Sequence, residues 1–213
     1  MKNNRLLLSL IFIFLPFIYL AAIYGGLPDE VPTHFDRFGQ PDGWSPKWVL
    51  WLLPGIGIPL MLAVNKAIMR GLPAERVTDK HRNISLLILG FTSAILCYII
   101  YGAEAGSYNG IGGVAILLGL FFAALGNYMP VLPRNNMAGI RVPPTLKSER
   151  KWRRTHRFAG PLFLIGGLAL VIGGIFLRGT ALTFLLIGTS VVINLIPAIY
   201  AYRLPDEEES EFV

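Results

Sequence analysis

Side chains able to do acid–base or metal chemistry gather in two stretches of this sequence. Leu27–Trp48, LPDEVPTHFDRFGQPDGWSPKW, sets His34 and Asp36 two residues apart, with Asp29, Glu30 and Asp42 nearby. Pro133–Arg157, PRNNMAGIRVPPTLKSERKWRRTHR, holds Trp152, Thr155 and His156 at i+3 and i+4 spacing on one helical face. A metal centre needs at least three convergent ligands, and His34 has only scattered acids, including Glu104, for company. No H-E-x-x-H or comparable spacing occurs. His34 therefore reads as a structural hydrogen-bonding residue or as a contact to a partner. Neither His34 nor His156 has a nucleophile or matched acid beside it, so no catalytic residue, cofactor or metal is expected. The single cysteine, Cys97, lies inside an apolar run, which excludes an intrachain disulfide and argues against redox chemistry.

The elements that hold these stretches are apolar and long. Hydrophobic residues make up 54% of the chain and charged residues 15%, with a mean hydropathy of +0.56, outside the balance of a soluble domain. Six apolar runs stand out: Leu6–Tyr24, Val49–Val64, Ile84–Tyr101, Ile111–Leu132, Phe158–Leu177 and Ala181–Tyr202. A spanning helix needs roughly 17–25 residues; the second run, the shortest, draws on Trp48 and Asn65–Ile68 to reach across. The first run follows Lys2 and Arg5 but is longer than a signal-peptide core and lacks a small-x-small cleavage site, so it reads as a retained helix. The fold class expected is an all-α integral membrane protein with six transmembrane helices and an ordered loop between the first two. Residues 1–69 form a helix pair with loop 27–48, and residues 70–213 a four-helix region with basic loop 133–157.

Charge fixes the expected orientation. Pro133–Arg157 carries eight Lys and Arg against one acid. With both termini cytoplasmic, 16 of the 19 basic residues fall on the inner side, and only Arg37, Lys47 and Arg178 outside. Trp44, Trp48 and Trp51 then sit at the outer interface. The basic residues beside helix ends are explained by topology, so direct nucleic-acid binding is not expected. No chain of carboxylates runs through the spans as an ion path would require; Glu104 at an outer helix end is either solvated or part of an outer site.

Glycines recur every seven residues at Gly112, Gly119 and Gly126 and again at Gly160, Gly167 and Gly174. Each set makes a stripe down one helix face, and the two stripes are expected to face one another, because small residues let helices approach in lipid. Pro54 and Pro59 are expected to bend the second helix. In Leu27–Trp48, Val31–Phe38 suits an extended segment and Pro41-Asp42-Gly43 a turn. In the basic loop, Ser148 should cap a helix that runs through Trp152 and His156 into the fifth span, with the surrounding basic residues at lipid phosphates. Lipid charge alone would not require Asn135, Gly139, Trp152 and His156, so this segment is expected to be a structural clamp or a signalling surface.

Asn135–Pro143 reads N-x-x-x-G-I-R-x-P and Trp152–Arg157 reads W-x-x-T-H-R. This pair resembles the signature of the SdpI family of bacterial membrane immunity proteins. Leu27–Trp44, L-P-x-x-V-P-T-H-F-D-x-x-G-x-P-D-G-W, resembles the small domain of unknown function that usually opens those proteins. The matching residues are Pro32, His34, Gly39, Asp42 and Gly43 in one loop, and Asn135, Gly139, Arg141, Trp152, Thr155 and His156 in the other. The chain departs from the family pattern at Pro144, where an aromatic is common, and in its acidic tail Asp206–Glu211. The resemblance implies a bacterial cell-membrane protein that protects against a secreted, membrane-active peptide toxin and is linked to a cytosolic transcriptional repressor. His34, Asp36, Asp42, Trp44 and Glu104 are the expected partner-facing residues, and the lipid bilayer is itself a partner. The competing reading is a small transporter or lipid-phosphate-binding membrane protein, with Arg141, Arg153, Arg154 and His156 at the phosphate.

Overall fold

The structure is a computed structural model that describes residues 2–36, 40–69, 79–106, 111–135 and 138–205. Within them the helices are α1 (Lys2–Ile23), α2 (Leu52–Met69), α3 (Asp79–Ala105), α4 (Ile111–Tyr128), α5 (Pro143–Lys147), α6 (Glu149–Phe176) and α7 (Gly179–Arg203). All but α5 are long and apolar enough to cross a membrane. At 1.5 Å per residue, 18 to 28 residues reach about 27–42 Å, against a hydrocarbon core of about 30 Å. Their outward faces are greasy: Ile18, Ile56, Ile165, Phe176 and Phe184 are all more than half exposed. Faces of that kind belong in lipid, and the chain is a multi-pass membrane protein of the all-α class.

Strands β1 (Glu30–Phe35) and β2 (Pro41–Pro46) pair antiparallel into a hairpin between α1 and α2. The extended expectation for Val31–Phe38 holds over its described strand part, but the turn does not fall at Pro41-Asp42-Gly43. Those residues lie in β2, and the chain reverses just before them, where the Asp36 amide donates to the Gln40 carbonyl at 2.9 Å. The reason is a close approach across the pair. A Cβ on Gly43 would stand 2.8 Å from the His34 Cβ, so only glycine admits the opposing histidine. Both prolines expected to bend the second helix lie in α2, Pro54 in its first turn and Pro59 in its interior.

The glycine stripes do face each other. Gly112 lies against Gly174, Gly119 against Gly167 and Gly126 against Gly160, in antiparallel register. A Cβ on Gly126 would meet the Gly160 carbonyl oxygen at 2.7 Å, and one on Gly112 the Gly174 oxygen at 2.9 Å. Backbone therefore touches backbone along the whole α4–α6 contact, the most extensive in the bundle. In lipid such proximity, rather than the hydrophobic effect, holds helices together.

Two buried clusters lie at opposite ends of the bundle. One gathers Leu20, Leu27, Val31, Leu50, Ile100 and Ala103 beneath the hairpin. The other gathers Ile84, Ile88, Met129, Leu132, Ile140, Trp152, Ala159, Phe163 and Ile193. The second cluster shares its end with Arg5 and Asp79, paired at 2.6 Å; that hydrogen bond holds the Asp79 carboxyl below its usual range.

Candidate functional site

At this second end, the segment after α4 folds back onto the first turns of α6. Ser148 precedes α6 and its hydroxyl accepts the Lys151 amide at 3.2 Å, which is the expected cap. From that start Trp152, Thr155 and His156 emerge on one face, all 0% exposed. The Trp152 indole donates to the Leu132 carbonyl at 2.8 Å and stacks on the His156 ring with centroids 4.0 Å apart.

His156 is held at both nitrogens. Nδ1 donates to the Trp152 carbonyl at 2.8 Å, and Nε2 accepts the Ile140 amide at 3.1 Å. An accepting Nε2 carries no proton, so the ring is the neutral Nδ1–H tautomer. Gly139 sits at φ +106°, in the left-handed region, and a Cβ there would strike His156 Nε2 and lie 3.1 Å from the Trp152 ring. Glycine is required at this position twice over, by dihedral and by space.

Asn135 closes the loop upon itself. Its amide nitrogen donates to the Pro133 carbonyl at 2.7 Å and the Ala138 carbonyl at 3.2 Å, while its oxygen accepts the Ala138 amide at 2.8 Å. Asn135, Gly139, Trp152 and His156 thus form one clasp joining the end of α4 to the start of α6. Thr155 is buried beside it, and its hydroxyl finds no hydrogen-bond partner among the described residues. Arg141 is exposed.

The expected phosphate site of Arg141, Arg153, Arg154 and His156 does not assemble, because the imidazole points inward with both nitrogens engaged. Arg153 also shares Glu149 with Arg134, at 3.8 and 3.3 Å. Nor does every basic residue around Trp152 face outward: Lys151 is only 8% exposed. Sequence reasoning missed Thr145, which completes the clasp. Fully buried, it donates its hydroxyl to the Ile140 carbonyl at 2.7 Å and accepts the Val142 amide at 3.1 Å. The signal was present, since a hydroxyl three residues into a proline-initiated turn is a capping position.

At the hairpin end the expected residues are spread out. His34 pairs with Asp42 across the strands, both well exposed. The Asp36 carboxylate accepts the Gln40 amide at 2.9 Å and so fastens the turn. Glu104 accepts the Tyr19 hydroxyl at 2.7 Å, joining α3 to α1. Trp44 and Trp48 are more than half exposed. Lys47 bonds the Leu27 carbonyl at 3.1 Å and the Asp29 carboxylate at 3.3 Å, tying the hairpin's base to the bundle. Among the described residues no three His, Cys, Asp or Glu side chains come together as a metal would need. Gly39, in the loop pattern, lies outside the described residues.

The clasp and the hairpin coincide with two recognisable modules. Residues 131–201 match the SdpI/YfhL protein family, and residues 11–58 match a domain of unknown function, DUF1648. Residues 131–201 thus carry an SdpI-family module. The clasp opens the SdpI module, and β1 and β2 lie within the DUF1648 module. The chain is 23% identical over 175 residues to the immunity protein SdpI of Bacillus subtilis (strain 168), covering 81% of each. No solved structure matches this chain.

Proposed function

We propose that this protein is a non-enzymatic membrane immunity protein that protects its cell from a secreted, membrane-active peptide toxin. The observation that carries the reading is the likeness to an immunity protein along 81% of both chains. Both termini are cytoplasmic in this reading, because that orientation puts 16 of 19 basic residues inside. The hairpin loop 27–48 of the helix-pair region 1–69 then faces the exterior, with Trp44 and Trp48 exposed on a base held by Val31, Leu50 and Lys47. Exposed tryptophans on a braced hairpin supply contact area at low entropic cost.

The region 70–213 carries the clasp as a structural device: the polar groups of Asn135, Thr145, Trp152 and His156 are spent on backbone. If a cytosolic repressor is engaged, the surface available is the exposed basic set of Arg141, Arg154 and Arg157 rather than the clasp. The test is survival of a sensitive strain exposed to the peptide, with and without the protein. Expression should raise survival. Trp44→Ala and Trp48→Ala should lower it while membrane abundance stays at the parent level. Cells carrying abundant protein yet dying like the empty-vector control would refute the proposal.

A further inference from the structure

Asn194 is exposed on α7, in the middle of a face otherwise suited to lipid. Ser190, Val191, Asn194, Leu195 and Ala198 recur at three- and four-residue spacing, and with Leu118 of α4 they line a groove of about 820 Å³. Asn194 lies nine residues before Arg203, the last of α7, which is about 14 Å of helix. In a hydrocarbon core about 30 Å thick, that depth is near the mid-plane. A carboxamide has two N–H donors and a carbonyl acceptor. One donor of Asn194 reaches the Ser190 carbonyl of its own helix at 2.9 Å. Among the described residues the second donor and the carbonyl oxygen have no partner, and hydrocarbon offers none. Leaving such groups bare in lipid is costly, so a polar side chain at this depth marks a face that something covers.

We propose that this face of α7 binds a second copy of the chain, with the two Asn194 side chains hydrogen-bonded to each other. Each amide brings one donor and one acceptor, and a twofold axis sets the identical groups opposite. Two reciprocal N–H···O bonds then satisfy both side chains at once. A lipid tail can fill the groove but cannot make those bonds. Ser190 and Ala198, one turn to either side, are small enough to let the two backbones approach. A single asparagine in an apolar seam also fixes register and a two-stranded state where helices pair. The inference is independent of immunity, because it rests on the chemistry of one amide and its place in α7.

The full chain, with Cys97→Ala and one added C-terminal cysteine carrying a donor or acceptor dye, should be reconstituted into vesicles of phosphatidylcholine and phosphatidylglycerol. Energy transfer should fall by half at a definite protein-to-lipid ratio and rise linearly with acceptor fraction, as a dimer requires. Asn194→Leu should move that ratio about tenfold toward dissociation, the scale of interhelical hydrogen bonds in membranes. Asn194→Gln keeps a donor and an acceptor and should restore most of the association. Ile172→Ala, at an exposed α6 position outside the groove lining, should match the parent. The proposal fails if transfer never exceeds that of randomly placed chains, or if it curves with acceptor fraction as a larger assembly would. It fails equally if Asn194→Leu associates like the parent, if Asn194→Gln associates no better than Asn194→Leu, or if Ile172→Ala weakens association as much.

Discussion

Substituting Gly167 by Ala adds one carbon at the centre of the α4–α6 contact. That carbon would lie 2.5 Å from the Gly119 carbonyl oxygen and 2.9 Å from the Ala123 Cα. Ordinary heavy-atom contacts are about 3.5–4.0 Å, so the helices must part by about 1 Å, and such a gap forfeits up to about half of each neighbouring contact's attraction. Both obstacles are backbone, so no side chain can rotate away. Overpacking of this kind costs about 1–3 kcal/mol. Replacing glycine by alanine also favours the helix by up to about 1 kcal/mol, which would mask part of the loss. Gly188→Ala in α7 isolates that gain, because nothing lies within 4 Å of its would-be Cβ. The difference between the two variants is then the overpacking alone, at about 2–4 °C per kcal/mol for a chain of this size. Melting of both variants in detergent, followed by tryptophan fluorescence, measures it. If Gly167→Ala melts as high as Gly188→Ala, the stripes do not touch and the packing described here is wrong.

His156→Phe keeps a ring against Trp152 but removes the acceptor for the Ile140 amide, so a melting curve should report a loss of about 1–3 kcal/mol, the cost of an unsatisfied buried donor. Thr155→Val should melt at or above the parent, since it exchanges a buried hydroxyl with no partner among the described residues for a methyl of equal shape; a lower melting temperature would mean the hydroxyl has a partner. In a Cys97→Ala background, cysteine placed at Ser45 should react with an impermeant maleimide in intact cells, and at Ser148 only after permeabilisation. Labelling of Ser148 in intact cells would reverse the orientation.

Most of the architecture was legible because lipid imposes simple requirements. Uninterrupted apolar runs of about 20 residues mark spans, and seven-residue glycine spacing marks a close face on α4 and on α6. The Ser148 cap was equally readable, since capping depends on neighbours in sequence. The hairpin turn was misread because the glycine in Pro41-Asp42-Gly43 answers to His34 on the opposite strand, and cross-strand contacts leave no local trace. The basic loop was half legible. Its unusual residues pointed to a specific structure, but which of them turn inward depends on the path of 132–142, so His156 was set with the arginines although it faces Ile140. The burial of Lys151 and the tie between Tyr19 and Glu104 arise only when separate helices meet.

The seven-residue glycine repeat has a cost for uniqueness. If α6 slid along α4 by one repeat, about 10.5 Å, Gly112 would meet Gly167 and Gly119 would meet Gly160, so two of the three close approaches would survive. Small-residue faces thus specify that the helices adhere, but discriminate weakly among alignments one repeat apart. The clasp removes that ambiguity: the Trp152–Leu132 and His156–Ile140 hydrogen bonds can form at one offset only. Their role is that of a detent on a sliding rail, which selects one stop among several of similar grip. Loosening the clasp should therefore yield misaligned but still compact chains rather than unfolded ones.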